Sequence, residues 1–145
     1  MSDVHDVLGA ITIAVNALAA LAGLIAWRTK PNRLFWPLLR AGQILVIVEA
    51  VTGAALLLDG KDLPRLHLIY GLVPIAVSFV AEQLRLASAD IVLQQKGLES
   101  AKEVAELPEA DQHALVAGII RRETGVMAAS AGVVALLCLR AQGWL

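Results

Sequence analysis

Four apolar stretches, each as long as a helix needs to cross a bilayer, constrain this chain more than any other feature. About 20 residues at 1.5 Å rise span a hydrocarbon core of ~30 Å. The stretches fall at about 7–27, 35–58, 66–84 and 124–144 of a 145-residue chain. Composition agrees, with 58% hydrophobic and 17% charged residues, where a soluble domain has about half and a quarter. The expected fold class is an all-α membrane protein. It is one integral membrane domain, an antiparallel four-transmembrane-helix bundle with a cytoplasmic helical segment at about 85–123 between spans three and four.

Local signals place the span ends. Trp27 closes the first span as an interfacial aromatic, and Arg28, Lys30 and Arg33 follow it around a turn at Pro31 and Asn32. Asp59, Gly60, Lys61, Asp62 and Pro64 form a connection short enough to make spans two and three antiparallel neighbours. The third span should kink at Pro74 and continue as an amphipathic helix through Asp90 towards Gln95. Ser100 and Glu103 form a capping box, and Pro108 suits the first turn of a further helix. Leu115, Val116, Ile119 and Ile120 line one face of that helix. It should lie on the membrane surface or run straight into the last span. The first residues carry acid but no Lys or Arg, so the first apolar segment is expected to stay in the mature protein.

Basic residues set the orientation. Arg28, Lys30, Arg33, Arg40, Arg85, Lys96, Lys102, Arg121 and Arg122 fall on one side, against Lys61, Arg65 and Arg140 on the other. The positive-inside rule then puts both termini outside and 85–123 in the cytoplasm of a multi-pass cell-membrane protein.

Polar residues inside such spans are expensive and need partners. Helix rise puts Arg40 and Glu82 at matching depths, roughly 8 Å from the inner boundary, so they are the expected ion pair between spans two and three. Glu49 lies near the midplane, about 13–14 Å deep, at the level of Asn16 and close to that of Ser78. These three form the expected intramembrane polar site. No cation is predicted near Glu49, so it is expected to be neutral. It is either a hydrogen-bonded core node or a proton or cation site.

His67 and Tyr70 share a helix face at the outer boundary, and Gly71 beside them leaves room for a neighbouring helix or a flat ligand. They are either a hydrogen-bonded interfacial histidine with a belt tyrosine or a candidate ligand-binding pair. An imidazole in a helix bundle is a natural haem ligand, so haem b is the cofactor a His67 site would take, alone or with a displaced His5. No cofactor is expected from the pattern otherwise. His5, His67, Asp3, Asp6, Asp59 and Asp62 share the outer face without a recognised metal-ligand spacing. The single cysteine, Cys138, excludes an intrachain disulfide.

Nucleophile constellations and phosphate-binding glycine loops are missing from the pattern, so catalysis is not expected. A net charge of −1 gives no sign of nucleic acid binding. The partners expected are the lipid bilayer and a membrane protein or second copy; Gly125 with Ala129 and Ala128 with Gly132 offer close helix contacts. The sequence favours a non-catalytic accessory or scaffold module. The alternatives are a proton- or cation-coupled small transporter or channel using Glu49, or a haem-binding redox protein using His67.

Overall fold

The computed structural model describes residues 2–30, 33–60, 64–98 and 100–145. The turn expected at Pro31 and Asn32, and residues Lys61 and Asp62 of the next, lie outside the described residues. Six helices and no strand occur among the described residues: α1 (Ser2–Arg28), α2 (Phe35–Leu58), α3 (Arg65–Leu86), α4 (Ser88–Gln95), α5 (Ala101–Glu106) and α6 (Glu109–Ala141). By length and composition, α1, α2, α3 and α6 can each cross a membrane.

The helix ends follow from local chemistry. Asp3 in the first turn of α1 and Arg28 in its last complement the helix dipole. Gly60, at φ +77°, supplies the left-handed residue that terminates α2, and its N–H bonds the Leu57 carbonyl at 3.0 Å. The Ser100 hydroxyl accepts the Glu103 N–H at 3.3 Å and caps α5. Pro108 is the N-cap of α6, with φ −54°. The helix after it runs unbroken into the last apolar stretch. Its 33 residues reach about 50 Å, well beyond a hydrocarbon core.

The amphipathic extension of the third span is a separate helix. Ala87 breaks the line between α3 and α4. The buried Ser88 hydroxyl donates to the Leu84 carbonyl at 2.9 Å, competing with the helical N–H that would use that acceptor.

Helix α1 runs between α2 and α6, and α6 also packs along α3. Helices α2 and α3 meet over a shorter stretch, and α4 folds against α6. Ala19, Phe35, Leu39, Ala81, Met127, Ala128 and Ala131 form the buried core. Small residues let the helices approach. A Cβ added at Gly23 would sit 2.5 Å from the Phe35 ring and 2.6 Å from the Ala128 Cβ, so only glycine fits there.

The surface inverts the usual soluble pattern. Ile44, Val51, Leu58 and Phe79 are exposed, while Thr12 and Asn16 are buried.

Candidate functional site

Polar side chains gather at two ends of the helix assembly. One end holds the start of α1 and the close of α6. There a cavity of about 180 Å³ is walled by all four long helices, with His5, Gly9 and Thr12 from α1, Glu49 and Gly53 from α2, His67 and Gly71 from α3, and Cys138 from α6. The spacing brings them together. His5, Gly9, Thr12 and Asn16 follow an i, i+4, i+7, i+11 pattern, which keeps one helix face. Gly42, Val46, Glu49 and Gly53 repeat it on α2, and His67, Gly71, Pro74 and Ser78 repeat it on α3.

His5 is only 7% exposed. Its Nδ1 lies 3.1 Å from the Thr52 hydroxyl and 3.5 Å from Glu49 Oε2. The Thr52 proton is already given to the Glu49 carbonyl at 3.0 Å, so the hydroxyl oxygen accepts and His5 Nδ1–H donates. His67 Nδ1 lies 2.9 Å from the Ala141 carbonyl. A carbonyl only accepts, so here too Nδ1 carries the proton. The two rings meet edge-on with centres 5.8 Å apart. His5 Nε2 and Glu49 Oε1 are buried without a hydrogen-bond partner. An unsatisfied buried polar group costs about 1–3 kcal/mol, and this pocket holds two of them.

The expected trio of Glu49, Asn16 and Ser78 is not joined. The Asn16 amide donates to the carbonyls of Thr12 at 2.9 Å and Gly42 at 3.4 Å. Glu49 faces His5 instead, and among the described residues no hydrogen bond links Ser78 to either. Glu49 therefore has a potential cation beside it, which the sequence did not anticipate. A first span starting at residue 7 left His5 ahead of the helix, whereas α1 already begins at Ser2. The four-residue step from His5 to Gly9, continued by Thr12, was the signal that pointed inward. Tyr70 lies outside the pocket wall, with the Arg140 guanidinium 5.9 Å from its ring centre.

The opposite end holds a second cluster. Glu82 accepts hydrogen bonds from Arg40, from Gln43 at 2.9 Å and from Arg85 at 2.8 Å. Both guanidinium groups lie 5.9 Å from the Trp36 ring centre. The structure brings Arg40 and Glu82 together across α2 and α3, and Gln43 and Arg85, which depth alone does not single out, complete the set. This cluster satisfies its own members, which is the behaviour of a register-fixing contact.

Among the described residues no three His, Cys, Asp or Glu side chains are grouped to hold a metal ion. Compared with protein families, with curated proteins and with solved structures, the chain matches none.

Proposed function

We propose that the chain is a four-span integral membrane protein folded as an antiparallel bundle, and that it binds a ligand in the pocket around His5, Glu49 and His67. Both termini lie outside and the 85–123 segment is cytoplasmic, so the pocket belongs to the outer end. Four long apolar helices and the many large apolar side chains that face outward, with Thr12 and Asn16 buried inside, support the bilayer as solvent. The excess of basic residues around the α1–α2 and α3–α6 connections supports the orientation.

One observation carries the ligand reading beyond the accessory module that the sequence favours. His5 and Glu49 face each other in a cavity between spans, and each keeps a buried atom without a partner. Structural polar clusters satisfy their members, as the Glu82 set does, whereas unsatisfied groups in a cavity suit a site awaiting an occupant. Glu49 and His5 are the groups that would hold a polar or metal-bearing guest, and Thr52 orients His5.

Cys138 gives a native reporter, being the chain's single cysteine and part of the pocket wall. A small, membrane-impermeant methanethiosulfonate reagent added to intact cells should modify it. Gly71→Leu, which adds bulk to the pocket wall, should slow that reaction. Modification only by lipid-soluble thiol reagents would reject an outward-opening pocket.

A further inference from the structure

We infer that the pocket takes an iron porphyrin, with the Nε2 atoms of His5 and His67 as its two axial ligands. The inference rests on the pocket reading and names its occupant.

Three observations converge. First, both imidazoles are set up as ligands. His5 gives its Nδ1 proton to Thr52 and His67 gives its own to the Ala141 carbonyl. In the neutral ring each Nε2 then carries a free lone pair. Metal-binding histidines are held this way, with the second nitrogen donating to a carbonyl or an oxygen side chain. His5 Nε2 is buried, lacks a partner and belongs to a residue lining the cavity.

Second, the separation fits one metal. Imidazole nitrogen binds first-row metals at about 2.0–2.1 Å, and the ring centre lies about 1.2 Å behind it, so two rings across one metal have centres about 6.4 Å apart. Here they meet edge-on at 5.8 Å, so the rings would part by about 0.6 Å to admit the metal.

Third, the count of ligands selects the kind of metal centre. A bare first-row ion wants four or more donors, and among the described residues no three metal-binding side chains are grouped. A porphyrin brings four nitrogens and asks the protein for two. The cavity, about 180 Å³ and partly open, is close in volume to one that holds benzene, so a macrocycle would extend through its open side. Along the cleft of sparse contact between α2 and α3 the cavity wall is made of Ala50, Gly53 and Ala54 with Leu68 and Gly71. A Cβ built at Gly71 meets nothing within 4 Å. The macrocycle would spread into that cleft with its edge towards lipid.

The test is a hemin titration of the full-length protein in detergent, followed by visible spectroscopy of the oxidised and reduced forms. The wild type should bind one hemin per chain with a six-coordinate, low-spin spectrum. His5→Ala and His67→Ala should each bind at least about tenfold more weakly, since even second-sphere changes cost 10–100-fold, and should turn high-spin. Added imidazole should restore the low-spin bands in both. His113→Ala, at an exposed site on α6, should match the wild type. Gly71→Leu should fold normally and bind hemin more weakly, which keeps the inference testable if a histidine variant fails to fold. Folded wild type that takes up no hemin, or unchanged affinity and spin state in both pocket variants, would overturn it. So would stoichiometric zinc or cobalt binding at the same histidines without hemin uptake. If Cys138 is modified from outside yet hemin does not bind, the porphyrin fails and the pocket stands. If Cys138 is also unreactive, both fail.

Discussion

The same substitution, made at the partly buried Glu49 and Glu82, should change stability in opposite directions. Methionine matches glutamate in length and lack of branching, and it brings no polar atom. At Glu49 it removes the partnerless Oε1, worth about 1–3 kcal/mol of destabilisation. It also removes the approach of Oε2 to His5 Nδ1, which at 3.5 Å is too long for a strong hydrogen bond, and His5 keeps Thr52 at 3.1 Å. That approach is worth about 0.5–1 kcal/mol, so Glu49→Met should stabilise the protein by about 1 kcal/mol. At Glu82 methionine removes an acceptor of three hydrogen bonds and leaves Arg40 and Arg85 facing each other. The Glu82 side chain is 22% exposed, so solvent screens part of the effect, and the loss is about 1–3 kcal/mol rather than the 3–5 of a fully buried pair. Thermal unfolding in one detergent, followed by circular dichroism, reads both. At about 2–4 °C per kcal/mol, Glu49→Met should raise the midpoint by a few degrees and Glu82→Met lower it by a similar amount or more. A fall at Glu49 comparable to that at Glu82 would mean that Glu49 is a structural node, and that its partnerless oxygen does not mark a binding site.

Other consequences are simpler to state. In a double-mutant cycle, Arg40→Ala and Glu82→Ala should be strongly non-additive, with a coupling of about 1 kcal/mol or more; simple addition would dissolve the pair. Gly23→Val should lower the melting midpoint markedly, because the added carbon meets Phe35 and Ala128 and overpacking costs about 1–3 kcal/mol; a neutral result would refute the close approach of α1 to α2 and α6. In a Cys138→Ser background, Asn16→Cys with Gly42→Cys should form a disulfide under mild oxidation. The Asn16 Cγ already lies 2.9 Å from the place of a Gly42 Cβ, and a persistently free thiol pair would contradict the α1–α2 register.

Much of the architecture was legible in the sequence because span length is a one-dimensional signal. The four apolar runs correspond to α1, α2, α3 and α6, and the Ser100 cap marks where α5 starts. Depth counting brought Arg40 to Glu82, since both are measured from clear ends. It failed for Glu49 because equal depth does not fix facing: Asn16 turned to the backbone of Gly42, and Ser78 sits on a helix that meets α2 only sparsely. The pocket needed helix phase as well as depth. The four-then-three spacing of His5, Gly9 and Thr12 carried that phase, but a start of the first span at residue 7 hid it. The break at Ala87 was not legible, because it depends on a hydroxyl of Ser88 finding the Leu84 carbonyl within a buried contact.

The central claim is a four-span bundle whose histidine pocket opens outward, and topology tests it most directly. In a Cys138→Ser background, exposed Asp3 before the pocket and exposed Lys96 in the α4–α5 connection can each be changed to cysteine. An impermeant maleimide added to intact cells should label Asp3→Cys and leave Lys96→Cys untouched until the membrane is opened. Labelling of Lys96→Cys from outside, with Asp3→Cys protected, would invert the protein and place the pocket at the cytoplasmic face.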